Sequence, residues 1–210
     1  MTLQERIDWL KRNNIELLQF DDEVEQLDAY LQKLSRRLPN WPLEALVEIG
    51  VWQGGSMFLL ANYMAPGATI IGIDPAETTA NHRKAMRVAN KLVDQGFDAH
   101  VFRKTSSKAK RTVVNWLLRK RRAVDYLHID GNHTYDGVKY DFTNYAPLVV
   151  EGGIIQLHDV TNVHPKTGKN YGTKIFWNEI TRSYHDHAVV ANTQEGRVPG
   201  IGVIVVGEHA

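Results

Sequence analysis

The stretch Glu48-Ile49-Gly50-Val51-Trp52-Gln53-Gly54-Gly55-Ser56 decides the fold. Ahead of it, Ala45 to Ile49 is a short apolar run that reads as a buried strand, and after it Gly54 to Met64 reads as a helix. In an open α/β sheet, ligands bind beyond the carboxyl ends of the strands, so this turn is where a nucleotide-like ligand should sit. Gly50 lets the backbone bend and approach a ligand closely. Gly54 and Gly55 open the helix with bare amides aimed at polar groups. One βα unit later a second strand, Thr69 to Ile73, ends in Asp74-Pro75. A carboxylate there accepts both hydroxyls of a ribose. A tight turn and a helix cap are the plainer readings of the two features, but together they are much stronger than either alone.

Working outward, strands and helices alternate. Helical stretches are expected at Thr79 to Asp94, Ser107 to Lys120, Thr134 to Val149 (broken late by Pro147) and Thr173 to Tyr184. Strands are expected at His100 to Arg103, Val124 to Ile129 and Gly153 to Leu157, with two more near Ala188 to Ala191 and Gly202 to Val206. This alternation implies βαβ units and an α/β fold: a doubly wound, mostly parallel seven-stranded sheet with helices on both faces. The last two strands are close enough in sequence to form an antiparallel pair. Upstream, Leu3, Ile7 and Leu10, and then Val24, Leu27, Leu31 and Leu34, recur at helical spacing. Residues 1–42 read as an N-terminal helical extension and 43–210 as the α/β domain. Asp21 and Asp22 are candidate caps for the second helix, and Pro39 and Pro42 end the segment. The extension is expected to serve as a lid, a packing surface or a subunit contact beside a core complete without it.

Composition bounds the chemistry. The 210 residues suffice for one sizeable domain. The 25 basic and 24 acidic residues nearly cancel, which argues against wholesale binding of nucleic acid or an anionic membrane. Without cysteine there is neither a disulfide framework nor thiolate chemistry. No apolar run approaches the roughly 20 residues of a membrane span, and the first residues lack an apolar signal core. A cytoplasmic protein is the expectation, and a homo-oligomer is compatible with it.

Two cofactor classes fit a glycine turn followed by an acid, nicotinamide dinucleotides and S-adenosylmethionine. The dinucleotide fingerprint G-x-G-x-x-G needs glycine two residues after Gly50, where this chain has Trp52. Instead, Glu48-x-Gly50-x-x-x-Gly54 resembles the first motif of class I S-adenosylmethionine-dependent methyltransferases. That resemblance implies that Glu48 organises the loop, that Trp52 and Ser56 contact the cofactor's amino and carboxylate groups, that Asp74 holds the ribose, and that Ser106 lies near the adenine.

The stretch Asp125-Tyr126-Leu127-His128-Ile129-Asp130-Gly131-Asn132-His133 ends the fourth strand, and the fifth ends at Leu157-His158-Asp159. Neighbouring strands would set Asp130 and Asp159 side by side. Two such carboxylates repel unless a proton or a cation sits between them. Oxygen ligands favour Mg²⁺, Ca²⁺ or Mn²⁺, and His158 as a third ligand favours Mn²⁺ or another transition metal. Capping of the helix near Thr134 is the plainer role for Asp130. Together with Asp136-Gly137-Val138-Lys139-Tyr140-Asp141 and Gly152-Gly153-Ile154-Ile155, this stretch resembles the metal-dependent O-methyltransferases, the branch of catechol and macrolide-sugar enzymes and their cephalosporin-hydroxylase-like relatives. The resemblance spans roughly residues 45 to 206. It implies that Asp130 is a metal ligand and His133 the general base, with His158-Asp159 where two acids are usual.

The expected activity is metal-assisted O-methylation of a small-molecule hydroxyl: a sugar, a phenol or a natural product. His133 would take the hydroxyl proton while a cation on Asp130, His158 and Asp159 lowers its pKa. A nucleic-acid N-methyltransferase is disfavoured, because Asp130-Gly131-Asn132-His133 stands where those enzymes carry an Asp/Asn-Pro-Pro-aromatic run. A nicotinamide oxidoreductase is disfavoured by Trp52. A non-catalytic cofactor-binding or scaffold protein is the remaining alternative. The runs Lys108 to Arg111 and Arg119 to Arg122 read as solvated faces, His185-Asp186-His187 as a surface loop, and Thr161 to Tyr171 as a lid.

Overall fold

The computed structural model describes residues 1–17, 21–161, 171–190 and 200–207, without the side chains of residues 21 and 22. Helices α1 (Leu3–Arg12) and α2 (Asp21–Ser35) precede β1 (Leu43–Ile49) and α3 (Gly55–Leu60). Then come β2 (Met64–Ile73), α4 (Thr79–Asp94), β3 (Asp98–Phe102), α5 (Ser106–Lys120), β4 (Val124–Ile129), α6 (Tyr135–Tyr145) and β5 (Val149–His158). Helix α7 (Gly172–Ile180) and strands β6 (His187–Val190) and β7 (Ile201–Val205) follow.

The seven strands lie in the order β3-β2-β1-β4-β5-β7-β6. β1 to β5 run parallel, while β7 is antiparallel to both β5 and β6. The doubly wound sheet with an antiparallel final pair is the expected architecture. The strand order turns back between β1 and β4, which makes their carboxyl ends the switch point. Ile49 pairs with both Ile73 and Ile129, and Ile129 pairs with Leu157. The residues just beyond those positions, Gly50, Asp74, Asp130 and His158, therefore reach one common edge.

Both faces of the sheet are covered, so the central strands read as continuous apolar runs rather than alternations. Leu46, Ile70, Tyr126 and Ile154 belong to one buried cluster, and Val47, Ile71, Leu127 and Ile155 to the other. The second cluster takes Val113 and Leu117 from α5, Val138 and Phe142 from α6, and Phe176 and Trp177 from α7. The first takes Leu10 of α1 and Leu31 and Leu34 of α2, together with Phe58 of α3 and Leu92 of α4. The N-terminal helices thus pack into the buried cluster on one face of the sheet. Arg6 ties them in further: its guanidinium is buried, donates to the Phe58 carbonyl at 3.1 Å and stacks 4.9 Å from the Phe58 ring centre.

Strands β2 and β5 begin well before their sequence suggests. Pro66-Gly67 reads as a turn, yet Leu43 pairs with Met64 before the register shifts to Ala45 with Thr69. Val124 pairs with Val149 before a shift to Tyr126 with Ile154, and Gly152 takes φ +74 at that irregularity. A bulge, not a break, absorbs the turn-forming residues. Helix α6 ends at Tyr145, and Pro147 falls in the 3₁₀ turn after it. Most of the expected lid, the caps Asp21 and Asp22, and Ala191 lie outside what is described. Among the described residues no helix is long and apolar enough to cross a membrane.

Candidate active site

The glycine turn is locked into the sheet edge. Gly50 donates its N–H to the Ile73 carbonyl at 2.8 Å, and Asp130 donates to the Ile49 carbonyl at 2.8 Å. Gly50 has φ +89, and a Cβ there would lie 2.0 Å from the Asp130 carbonyl oxygen. Only glycine fits this crossing. Trp52, at φ +46, is held in the left-handed region by Asp74, whose Oδ2 accepts the Trp52 N–H at 2.8 Å. The other Asp74 oxygen accepts from the Ala76 N–H. Each oxygen of Asp74 keeps acceptor capacity beyond those bonds.

An open cavity of about 840 Å³ lies over this edge. Of the expected cofactor residues, Gly50, Trp52, Asp74 and Ser106 line it, and so does Asp130. Glu48, Gly54 and Ser56 are not among its lining residues. Glu48 is fully buried beneath the loop, where its Oε1 accepts the Ser56 hydroxyl and lies 3.2 Å from His128 Nδ1. Gly54 packs against Val88, whose Cβ would stand 3.0 Å from a Cβ on Gly54. Glu48 therefore braces the loop from behind, and through it Ser56 is tied to β4. The cavity volume falls in the usual range for small-molecule sites.

At the β4–β5 side of this edge, Asp130, His133, His158 and Asp159 form one cluster. His133 bridges both acids, with Nε2 3.2 Å from Asp130 Oδ1 and Nδ1 2.9 Å from Asp159 Oδ2. His158 Nδ1 lies 3.2 Å from Asp130 Oδ1 and 3.6 Å from Asp159 Oδ1. Behind it, buried Glu23 of α2 places Oε2 3.9 Å from His158 Nε2, while its Oε1 accepts the Gly200 N–H at 3.2 Å. Asp159 reaches its place with φ +62, an unusual value for a non-glycine residue and one that clusters at functional sites.

The cluster balances its own charge. Hydrogen bonds to Asp130 and Asp159 raise the His133 pKa to about 9 against the opposing effect of burial. Burial disfavours a charged His158, but Asp130, Glu23 and Asp159 overcome it and hold its pKa well above the ordinary value. Burial alone would push Asp130 up, yet His158 and His133 hold it well below the usual carboxylate range. The carboxylate conflict that suggested a cation is thus met by two imidazolium rings. The metal centre expected on Asp130, His158 and Asp159 does not fit this arrangement. Their donor atoms are turned onto one another, and among the described residues no group of three or more His, Asp or Glu side chains could hold a metal ion. Capping is not the task of Asp130 either, since Thr134 caps α6 by accepting the Gly137 N–H at 3.1 Å.

Two buried acids of this region were missed in the sequence, Glu23 and Asp141. Asp141 stands on the buried side of α6 with Val138, Phe142 and Tyr145. A lone carboxylate on an apolar helical stripe was the available signal. Elsewhere, Lys120 pairs with Asp98 at 3.0 Å and Asp186 with Arg37 at 2.8 Å, while His187 opens β6 rather than lying in the expected surface loop.

Residues 47–160 match a methyltransferase-domain family. An uncharacterised protein of Acanthamoeba polyphaga mimivirus, R132, is 31% identical over 114 residues, a segment covering 54% of this chain and about half the length of that relative. The O-methyltransferase from Bacillus cereus, solved in complex with SAH, superposes with a TM-score of 0.61 at 15% identity, covering 97% of this chain and 90% of that one. The O-methyltransferase TomG from Streptomyces achromogenes, solved with SAM, gives 0.61 at 19% identity, covering 98% and 89%. With more than half of its length matched by the family, the chain belongs to the methyltransferase-domain family.

Proposed function

We propose that this protein is an S-adenosylmethionine-dependent methyltransferase that acts on a hydroxyl of a small molecule. The observation that carries the reading is His133, held between Asp130 and Asp159 and lining the same cavity as Asp74 and the Gly50 turn. Family membership supports the methyl transfer, and the likeness in fold to O-methyltransferases solved with SAM or SAH supports the cofactor and the oxygen acceptor. The proximity of the four cluster residues favours an enzyme over a scaffold that has merely kept the fold.

S-adenosylmethionine, when bound, supplies an electrophilic methyl group. The chain's residues do the rest. Asp74 offers spare acceptor sites to the ribose hydroxyls, and Gly50 and Trp52 border the amino-acid end. His133, once neutral, would take the proton of the acceptor hydroxyl as that oxygen bonds to the methyl carbon and the carbon–sulfur bond breaks, with S-adenosylhomocysteine as the leaving thioether. Asp130 and Asp159 orient the ring and stabilise the imidazolium that forms. Mutual positioning supplies the remaining rate.

Calorimetric titration with S-adenosylhomocysteine and with NAD tests the cofactor, and a panel of hydroxylated acceptors with and without His133→Ala tests the base. Binding of NAD in place of S-adenosylhomocysteine would overturn the reading. So would transfer to an acceptor hydroxyl that His133→Ala leaves untouched.

A further inference from the structure

The methyl transfer leaves one fully buried histidine without a task. His128 stands in β4, and neither its side chain nor that of Glu48 has any exposure. In register it pairs with Glu48 of β1 and with Gln156 of β5, and Glu48 pairs in turn with Gly72 of β2. These positions lie two residues beyond Leu46, Ile70, Tyr126 and Ile154, so they share the face that those bulky side chains bury. A polar row therefore crosses an otherwise apolar face. Gln156 is met from its own surroundings, since its Oε1 accepts the Tyr126 hydroxyl. Glu48 is less well provided for. Its Oε1 accepts the Ser56 hydroxyl and lies 3.2 Å from His128 Nδ1, while its Oε2 has no hydrogen-bond partner among the described residues. Among the described residues, His128 is also the one basic side chain within ion-pair reach of Glu48.

A carboxylate buried this fully needs donors. Ser56 supplies one, and the imidazole supplies a second when its Nδ1 carries the proton. The histidine also supplies a direction. Its strand is held in register by neighbours on both sides, so the ring is a fixed point in the sheet. Glu48 rests on that point and presents Oε1 to Ser56, in the first turn of the helix that the glycine turn opens. Without the Nδ1–H, Glu48 would be left with one donor and would be free to turn from it. The loop would then keep its tie at Gly50 and lose the one at Ser56. We propose that His128 is a positioning residue for the cofactor turn: donating from Nδ1, it holds the Glu48 carboxylate on Ser56 and so sets the start of α3 for the cofactor. The assignment rests on the S-adenosylmethionine reading above.

The test reads the affinity of the full chain for S-adenosylhomocysteine by titration calorimetry, so it needs no acceptor. His128→Leu removes the donor and keeps an apolar filling; it should bind about tenfold or more weakly than the wild type, the usual consequence of an unmet buried polar group. His128→Asn places an amide N–H near the position of Nδ1 and should stay within about threefold of the wild type. Both should keep the wild-type circular dichroism spectrum. Should His128→Leu fail to fold, His128→Met, whose side chain adapts to irregular gaps, takes its place. Ser56→Ala gives a second arm. In the wild-type background it should cost about tenfold, but no more than about twofold further when added to His128→Leu, because both changes cut one chain of contacts. Wild-type affinity in folded His128→Leu would overturn the assignment. So would equal losses in His128→Leu and His128→Asn, or independent losses from His128→Leu and Ser56→Ala, which are what a merely structural histidine gives. Failure of the wild type to bind S-adenosylhomocysteine would overturn the cofactor reading itself, and this assignment with it.

Discussion

Gly50 and Asp130 meet backbone to backbone: a single added methyl on Gly50 would stand 2.0 Å from the Asp130 carbonyl oxygen. The two residues follow adjacent parallel strands, so the contact fixes the distance between the glycine turn and the Asp130–His133 cluster. Gly50→Ala should cost roughly 2–4 kcal/mol, because it combines a left-handed φ with a clash against backbone that is held in the sheet. It should also lower S-adenosylhomocysteine affinity. A urea melt beside a calorimetric titration measures both, and a variant of wild-type stability would contradict the contact.

His133 carries a pH signature. Its pKa, raised to about 9, means that the neutral base accumulates as pH rises toward that value. The rate constant kcat/KM should therefore climb with pH up to about 9 and level off above it. His133→Ala should lose roughly 10²–10⁴-fold at the plateau and flatten the profile. Asp159→Asn removes one of the two acids that raise the pKa and should move the midpoint to lower pH.

The same shift acts on stability with a definite sign. A histidine whose folded pKa is raised stabilises the fold fully below its unfolded pKa, near 6.5, and loses that contribution as pH climbs through about 9. The melting temperature of the wild type should fall across that window more than that of His133→Gln. Parallel curves for the two proteins would show that the ion pairs contribute nothing to folding.

The cluster also makes a prediction about metals. Since imidazolium rings occupy the space between Asp130 and Asp159, turnover should persist after treatment with EDTA. Loss of activity in EDTA, restored by Mg²⁺ or Mn²⁺, would mean that the ion pairs open around a cation. Metal analysis of the purified protein gives an independent reading.

Residues of α1 and α2 share the main core, so their removal should not leave a working remnant. Leu31 is fully buried in the first cluster. Leu31→Ala should cost about 2–5 kcal/mol, the usual price of a core cavity. Deletion of residues 1–38 should give an aggregating or molten product by near-ultraviolet dichroism. A native-like spectrum from that deletion would return the extension to the status of an accessory.

What could be read in the sequence was what local spacing determines. Helix α4 and strand β4 have the expected limits, because Thr78 caps the one and an apolar run fills the other. The Gly50 turn and Asp74 were legible because each ends its own strand. The starts of β2 and β5 were not, since Pro66-Gly67 and Gly152-Gly153 carry turn chemistry that neighbouring strands override by a bulge. In the site, adjacency of Asp130 and Asp159 followed from strand order, but the direction of the imidazole nitrogens did not. Glu23 was beyond reach, because its bond to Gly200 spans 177 residues of chain. Asp141 had a local signal, but no spacing rule ties α6 to the start of α5.

Strand β7 lies between β5 and β6 although it is synthesised after both. Until it arrives, β5 presents an open edge and β6 has no partner in the sheet. A nascent chain translated only as far as β6 thus holds an unfinished template, the kind of edge along which two chains can pair with each other. The Gly200 amide that meets Glu23 stands immediately before this inserted strand. The wall behind His158 is then among the last parts of the molecule to form, and catalytic competence should lag behind the appearance of helical structure as the protein folds.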